Sequence, residues 1–230
     1  MCGRFAFYSA AEAVSDLFGV NDAGLAVTPQ YNIAPTDLAA VIRLTPAGER
    51  ELTMLRWGLV PFWSKDRKAA SRMINARRET VAEKPAFRKA FRERRCIVPA
   101  DGYYEWVAGE SGKQPYYLSS RDDRPLGFAG LWERWREPQT QQSLETFSVL
   151  TMPSAGHIAN LHHRMPVMLD DVTAEHWLVG GEQQNPPALR ELGAEGRADQ
   201  LRFWPVAKTV NNARNEDPRL IEPLPDAEID

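Results

Sequence analysis

Short apolar segments separated by turn residues dominate the hydrophobic pattern of this chain. Residues 38–44 and 51–57 flank the turn sequence Pro46-Ala47-Gly48, which predicts a β-hairpin. Further segments, rich in aromatic and β-branched residues, follow at hairpin-length spacing. They predict strands over residues 96–99, 103–107, 115–118, 127–131, 147–152, 165–169 and 201–206.

Helical periodicity is confined to a few segments. Ser9 and Glu12 have the spacing of a capping box, and the apolar face that follows stops at Gly19, so a helix over residues 13–18 is predicted. Residues 84–95 place two phenylalanines four positions apart, which predicts an amphipathic helix with a cationic outer face. Two further helices are predicted to start at Thr173, through residue 178, and at Asn185-Pro186, through residue 192.

Many strands at hairpin spacing, with few helices, favour an α+β fold. We expect a single domain whose mainly antiparallel sheet curls into a barrel-like core, since 230 residues suffice for one substantial core. Residues 1–221 are assigned to this domain. Residues 222–230 are predicted to form an acidic, flexible C-terminal tail.

Charge is distributed unevenly, although the net formal charge is only -3. Residues 65–95 contain twelve Lys and Arg against four Asp and Glu, whereas residues 216–230 contain six acids against one arginine. The basic segment is typical of a solvated helix face or of a surface that follows a polyanion backbone. Aromatic side chains at its borders could stack on unpaired bases. These are Trp57, Phe62, Trp63 and Trp106.

Composition excludes several classes of protein. No apolar run approaches the roughly 20 residues that span a bilayer, and the start lacks the zones of a signal peptide, so a cytoplasmic protein is expected. Cys2 and Cys96 could form one disulfide at most, which a reducing compartment disfavours. Two cysteines and four histidines lack zinc-site spacing, so we expect neither a metal nor another cofactor.

The start of the chain carries the most specific candidate chemistry. Removal of Met1 would leave Cys2 with an amine and a thiol on adjacent carbons. The amine can form a Schiff base with an aldehyde, after which the thiol can close a thiazolidine ring. Both groups are partly available near neutral pH, because an α-amine titrates at about 8 and a thiol at about 8.5. A small residue at position two without any such role is the alternative.

A carboxylate among aromatic side chains is the second candidate. In a strand over residues 103–107, Tyr103 and Glu105 share one face while Tyr104 and Trp106 share the other. Such surroundings raise the pKa of a carboxyl group and suit it to general acid–base catalysis. A salt-bridged glutamate on an edge strand is an equally good interpretation.

Three further polar segments have both functional and structural interpretations. Asn75 could hydrogen-bond a reacting oxygen and Arg77 a phosphate, but turn and surface roles suit both. Neighbouring side chains of an extended segment point in opposite directions, so at most one of His162 and His163 should face a pocket. A single histidine suits proton transfer better than a two-histidine metal site. The amide-rich residues 210–215 fit turns and helix caps.

Six motifs occur in order along nearly the whole chain, from residue 2 to about residue 215. They are Met1-Cys2-Gly3-Arg4-Phe5, Arg56-Trp57-Gly58-Leu59-Val60-Pro61, Asn75-Ala76-Arg77 with Glu79-Thr80, Arg95-Cys96 leading to Asp101-Gly102-Tyr103-Tyr104-Glu105-Trp106, His162-His163-Arg164-Met165-Pro166, and Val210-Asn211-Asn212. Together they resemble the SOS-response-associated peptidase (SRAP) family, also described as the abasic-site processing family.

The resemblance implies the SRAP fold and an enzyme of the DNA damage response that senses abasic sites in single-stranded DNA. It implies that the N-terminal Cys2, once Met1 is removed, forms a thiazolidine crosslink with the ring-opened sugar. Residue by residue, it implies the catalytic residues Cys2, Asn75, Glu105 and His162, and the DNA-binding residues Arg4, Trp57, Trp63, Arg77, Trp106 and Arg164. The expected partner is single-stranded DNA that contains an abasic site. The protein is expected to be a monomer that associates with the nucleoid when it is bound to DNA. Neither a metal nor a membrane is expected as a partner.

Two other hypotheses stay open at this point. In the first, Cys2, His162 and Glu105 form the hydrolytic triad of a peptidase that also removes Met1. The family resemblance also allows a strand-incising lyase activity, since a Schiff base at the sugar aldehyde acidifies the neighbouring carbon. In the second, the chain is a non-catalytic module for single-stranded DNA, in which the basic segment and tryptophans matter and Cys2 does not.

Overall fold

A computed structural model describes residues 2–20, 27–109, 112–179, 195–225 and 227–229. Within these ranges the strands are β1 (Phe5–Phe7), β2 (Gln30–Ile33), β3 (Leu38–Leu44), β4 (Arg50–Trp57), β5 (Asn75–Arg77), β6 (Arg95–Ala100), β7 (Gly102–Gly109), β8 (Gly112–Ser120), β9 (Leu126–Arg136), β10 (Ser143–Pro153), β11 (Arg164–Pro166), β12 (Met168–Leu169) and β13 (Leu201–Pro205). The α-helices are α1 (Ala11–Phe18), α2 (Arg88–Glu93) and α3 (Asp171–Val179). Short 3-10 helices cover Arg67–Arg72, Gly156–Asn160, Glu195–Gln200, Lys208–Asn211 and Pro218–Ile221.

Five strands close a barrel. The order runs from β10 through β4, β3, β6 and β9, and β9 pairs again with β10. The β10–β4 pairing is parallel, whereas the other four are antiparallel. Closure leaves these strands without open edges and surrounds an apolar interior. The predicted α+β fold with a mainly antiparallel, barrel-like core is therefore confirmed.

A second sheet lies beside the barrel, in the order β13-β8-β7-β1-β2. Phe5 of β1 joins it to the barrel core, because its ring contacts Trp57 and Phe128 with centroids 5.0 and 6.4 Å apart. Tyr103 of β7 belongs to the same buried cluster, whereas Tyr104 belongs to a second cluster on the other side. This placement confirms the predicted alternation of faces along β7.

The end of β10 brings distant segments together. Strand β5 pairs with residues 149–151 of β10, and β11 pairs with residues 151–153. Alternate backbone groups of β10 make these bonds, so β5 and β11 flank opposite edges of the strand. Asn75 at the start of β5 and His162 just before β11 thereby reach the same end of the molecule.

The hairpin predicted over residues 38–57 is confirmed as β3 and β4, and its turn places Gly48 at a φ of 83°. The other predicted strands also form, most of them longer than predicted, because pairing continues past the apolar segments. The predicted segment 165–169 divides into β11 and β12. No helix within the described ranges is long and apolar enough to cross a membrane.

The helices also differ from their predicted ends. Gly19 ends α1 in the left-handed conformation with a φ of 60°, as predicted, but the capping box is wrong because the Ser9 hydroxyl donates to Asp101. The helix expected over residues 84–95 shortens to α2. Asp170, not Thr173, caps α3, since its carboxylate accepts from the Thr173 N–H at 2.7 Å. The helix predicted over residues 185–192 lies outside the described residues.

The start of the predicted tail lies against β13. Pro223 forms a β-bridge with Val206, and the Leu224 N–H donates to the Pro205 carbonyl oxygen at 2.9 Å. Backbone pairing of this kind holds residues 223–224 to the domain. The domain boundary at residue 221 and the flexibility of the tail stay predictions.

Candidate active site

Cys2 is held next to β5 and β7. The Tyr104 N–H donates to the Arg4 carbonyl oxygen at 2.9 Å, which keeps the segment before β1 alongside β7. The Asn75 side-chain amide donates to the Cys2 carbonyl oxygen at 2.7 Å, and Cys2 is fully buried. Asn75 can face Cys2 because Ala76, the next residue of β5, turns into the core. Asn75 thus fixes the position of the candidate nucleophile.

Glu105 is a buried carboxylate on the inner face of β7. Glu105 is only 3% exposed, and loss of hydration raises the pKa of its carboxyl group from 4.5 to about 6. The nearest imidazole is that of His162, whose Nδ1 lies 3.8 Å from Glu105 Oε1. Glu105 is therefore mostly ionised at pH 7 but close enough to its titration range to accept and return a proton.

His162 is oriented by the backbone of β11. The Arg164 N–H donates to His162 Nδ1 at 3.0 Å, and burial lowers the pKa of the imidazole. His163 packs beside it, with ring centroids 4.3 Å apart, but is exposed. The two rings thus lie in different surroundings, with His162 next to Glu105. The described residues contain no group of three or more His, Cys, Asp and Glu side chains that could hold a metal ion.

The Cys2 thiol is electrostatically coupled to Glu105. Burial raises the pKa of this thiol well above its ordinary range, and the negative charge of Glu105 raises it further. The sulfur is consequently a neutral thiol at pH 7, and a proton acceptor is needed before it can act as a nucleophile.

Guanidinium groups predicted to bind DNA differ in availability. Arg77 is exposed and shares the face of β5 with Asn75. Arg164 instead makes a bidentate ion pair with Glu79, at 2.7 and 3.1 Å, and donates to the carbonyl oxygen of Thr151 at 2.5 Å. Its guanidinium therefore joins β11 to β10 and to the segment after β5.

Arg4 is also engaged within the protein. Its guanidinium donates to the Asn32 side-chain oxygen at 2.6 Å and to the Val210 carbonyl oxygen at 2.9 Å. The same group lies over the ring of Trp106, 5.9 Å from its centroid. Trp106 is partly buried and donates through Nε1 to the Asn211 side chain at 2.7 Å. The structure thus gathers Arg4 and Trp106 at the amide-rich segment.

The remaining tryptophans have opposite environments. Trp57 is fully buried, donates to the Ile74 carbonyl oxygen at 2.9 Å and stacks with Phe147. A ring without exposed surface cannot stack on a base. The prediction that Trp57 binds DNA is therefore wrong, and the ring belongs to the core. Trp63 is 55% exposed beside Phe62, which is 47% exposed. These two rings, with Lys89 4.4 Å from the Phe62 centroid, form an exposed aromatic and basic surface.

Two buried residues, Asn32 and Tyr103, were not predicted as site residues. Asn32 is 1% exposed and donates to the carbonyl oxygens of Asn212 and Asn215, at 3.0 and 2.8 Å, while it accepts from Arg4. Arg4 lies 28 positions away and the two carbonyl groups 180 and 183 positions away, so no local pattern points to Asn32. Tyr103 did carry a signal, since it lies two residues before Glu105 on the same face of β7.

Comparison with known proteins shows which family the chain belongs to. The sequence profile of the family described as "SOS response associated peptidase (SRAP)" matches residues 1–213. The chain belongs to this family. An abasic site processing protein of Bacillus subtilis, YoqW, is 36% identical over 225 residues, which cover 96% of this chain and 99% of that protein. HMCES of Gallus gallus, also named an abasic site processing protein, is 30% identical over 226 residues, or 85% of this chain and 66% of its own.

Solved structures confirm the SRAP fold. A protein from Bacteroides thetaiotaomicron superposes with a TM-score of 0.81 at 25% identity, over 97% of this chain and 100% of its own. A phage-related protein from Bordetella bronchiseptica gives a TM-score of 0.71 at 31% identity, over 90% of this chain and 95% of its own. The overall fold of this chain is thus shared with both solved structures.

Proposed function

We propose that this SRAP protein processes abasic sites in DNA, and that it does so by trapping them covalently in single strands through Cys2 after removal of Met1. The observation that carries the proposal is the 2.7 Å hydrogen bond from Asn75 to the Cys2 carbonyl oxygen, which fixes the nucleophile within electrostatic range of Glu105. The substrate class is supported by relatives, 30 to 36% identical, whose names describe abasic site processing.

The first chemical step is attack of the Cys2 amine on the ring-opened sugar aldehyde. A nitrogen–carbon bond forms, and the resulting carbinolamine loses water to give an imine. Glu105 and His162 are the groups that move the protons this requires, because their side chains approach within 3.8 Å and both have pKa values shifted by burial. Asn75 Oδ1, buried and without a partner among the described residues, would orient the amine.

In the second step the Cys2 sulfur adds to the imine carbon. The sulfur–carbon bond forms while the thiol proton leaves to Glu105 and a proton reaches the nitrogen, so the sum of both steps is the loss of one water. A buried thiol that is neutral at pH 7 favours this order, with the amine reacting first. Holding amine, thiol and aldehyde together makes both additions intramolecular once the strand is bound.

Recognition of the strand would depend on its backbone and on the missing base. Arg77 presents an exposed cation on the strand that carries Asn75, and Trp63 presents an exposed ring next to the basic segment 65–95. Phosphate contacts and stacking of this kind do not read base edges. Specificity for the lesion would therefore come from its aldehyde.

A crosslinking assay tests the proposal. A single-stranded oligonucleotide with one abasic site should give one protein–DNA species that survives heat and denaturant. Cys2→Ala, or one residue added before Cys2, should abolish that species. Cys96→Ala is the matched control, because Cys96 is an equally buried free thiol within the barrel. Crosslinking by a protein whose N-terminus is blocked would contradict the proposal.

The same side chains could serve a peptidase, since Cys2, His162 and Glu105 supply a thiol, an imidazole and a carboxylate. Intact mass of purified protein that retains Met1 distinguishes the two activities. Self-processing predicts loss of Met1 during incubation and its retention in Glu105→Gln.

A non-catalytic binding module predicts that Cys2→Ser binds and protects single-stranded DNA as the wild-type protein does. It also predicts that neither protein forms a covalent species with the DNA.

A further inference from the structure

Tyr103 carries a buried hydroxyl group that the fold does not use. Its side chain is fully buried, and its oxygen has no hydrogen-bond partner among the residues that the structure describes. The adjacent Tyr104 shows the normal situation, since its hydroxyl donates to the Tyr31 carbonyl oxygen at 2.7 Å. A buried hydroxyl without a partner destabilises the folded state, and a phenylalanine would fit the same space without that cost.

The position of Tyr103 connects this hydroxyl to the reacting groups. Tyr103 lies two residues before Glu105 on one face of β7, and it is directly opposite Phe5 in the pairing of β7 with β1. Cys2 lies three residues before Phe5 and belongs to the same buried cluster as Tyr103. The side chain is held against Phe128, with the two rings edge to face and their centroids 5.9 Å apart. The ring is therefore fixed on the face of β7 that carries Glu105, within the buried cluster that also contains Cys2.

Electrostatics supports this proximity. Burial is the main reason that the pKa of the Tyr103 phenol is raised well above its ordinary value, and the negative charge of Glu105, and of Cys2 when its thiol is ionised, raises it further. Both contributions require that the three side chains are close together. A phenol with so high a pKa keeps its proton and can act only as a hydrogen-bond donor to a neighbouring anion.

We propose that the Tyr103 hydroxyl donates a hydrogen bond to the Cys2 sulfur during thiazolidine ring closure. This inference rests on the proposed function and assigns to it one further catalytic residue. As Glu105 removes the thiol proton, negative charge develops on a sulfur that is shielded from water. The hydroxyl stabilises that charge until the sulfur–carbon bond has formed, and Tyr103 retains its own proton throughout.

Tyr103→Phe separates the two chemical steps. Imine formation is measured by trapping with cyanoborohydride, and ring closure by the heat-stable adduct formed without a reductant. We expect wild-type imine formation and ring closure about 10- to 100-fold slower, the effect of losing one hydrogen bond to a charged group. Cys2→Ala, which keeps the amine and lacks the thiol, defines the result for imine formation alone. Thermal unfolding of Tyr103→Phe should occur at the wild-type temperature or above it.

Tyr104→Phe is the matched control, because it removes a hydroxyl that is satisfied at Tyr31. It should unfold at a lower temperature and react at wild-type rates in both steps. Failure of the wild-type protein to form any adduct would contradict the proposed function itself. A wild-type protein that crosslinks, together with Tyr103→Phe that closes the ring equally fast or slows both steps equally, would overturn the role of Tyr103 alone.

Discussion

Burial has different chemical consequences for Glu105 and for Cys2. Both side chains are almost without exposed surface. The carboxyl group, with a pKa of about 6, still ionises below neutral pH, whereas the pKa of the thiol moves far above it. In the proposed mechanism, a carboxylate that can accept a proton at pH 7 is thus coupled to a thiol that must first lose its proton.

The pH dependence of crosslinking follows from this pair. Because Glu105 must be ionised to accept a proton, the single-turnover rate should fall as the pH decreases through about 6. In Glu105→Gln the rate should be lower at pH 7 and should lose this inflection, while binding to an intact single strand stays nearly unchanged. Rates measured between pH 5 and pH 8 check this prediction. Equal rates for both proteins would remove Glu105 from proton transfer.

The same carboxylate should limit stability at neutral pH. Its pKa is higher in the folded protein, at about 6, than the ordinary 4.5, so the folded state binds the proton more tightly and stability falls as the pH rises through this interval. The difference corresponds to about 2 kcal/mol. Relative to wild type, Glu105→Gln should gain about that much free energy of unfolding between pH 4 and pH 7. Urea unfolding at both pH values measures it, and a constant difference would contradict the assignment.

Sequence reasoning succeeded at residues whose surroundings are local. The aromatic neighbours of Glu105 lie within two positions of it, so its buried setting could be predicted from strand alternation. It failed for Trp57, because Phe5 and Phe147, which cover this ring, come from distant segments. Asn32 has no local signal for the same reason.

At the scale of elements, β11 depends on one guanidinium group. Arg164 holds both carboxylate oxygens of Glu79 and the carbonyl oxygen of Thr151, so it connects β11 to β10 and to the segment after β5. The backbone N–H of Arg164 also donates a hydrogen bond to His162 Nδ1. A residue expected at the DNA backbone therefore holds together the elements that position the candidate site.

Arg164→Lys tests this structural role. A lysine keeps the charge but cannot bind Glu79 through two parallel hydrogen bonds, so we expect a loss of about 2 kcal/mol in the free energy of unfolding. Arg77→Lys is the control and should unfold like the wild type, since Arg77 is exposed. Chemical denaturation of the three proteins provides the comparison. Unchanged stability of Arg164→Lys would return Arg164 to a role at the DNA.

Elements were predicted well where apolar periodicity decides, and poorly where tertiary contacts compete. Strands β3 and β4 follow from their sequence because each pairs with its neighbour in the chain. The Ser9 cap failed because the Asp101 carboxylate accepts from the Ser9 hydroxyl and from the Ser9 N–H. Closure of the barrel by β9 and β10 was expected only in outline, since register depends on pairs that local patterns do not specify.

At the scale of the whole molecule, exposed aromatic and cationic groups coincide on one surface. Phe62 and Trp63 project from the segment after Gly58, next to Lys89. Exposed large rings of this kind mark interaction surfaces in soluble proteins. One cation of the basic segment 65–95, Lys89, thus lies over an exposed aromatic ring at this surface.

Trp63→Ala should weaken binding to single-stranded DNA without altering stability. Stacking on one base accounts for about 1 to 3 kcal/mol, so affinity should fall about 5- to 150-fold. Trp57→Ala is the contrasting variant, and it should lose about 3 to 5 kcal/mol of unfolding free energy because the ring is fully buried. Fluorescence anisotropy and thermal unfolding measure the two effects. Unchanged affinity in Trp63→Ala would place the strand elsewhere.

The contact of Arg4 with Val210 and Asn32 has a consequence for biosynthesis. The ribosome translates Val210 206 codons after Arg4, so the contacts of Arg4 with Val210 can form only after all the intervening residues have been synthesised. Until then the amino end of the nascent polypeptide lacks the support of its eventual partners and is open to the cellular enzymes that trim initiator methionine. The removal of Met1 that the proposed function requires can thus precede burial of Cys2 by the finished fold.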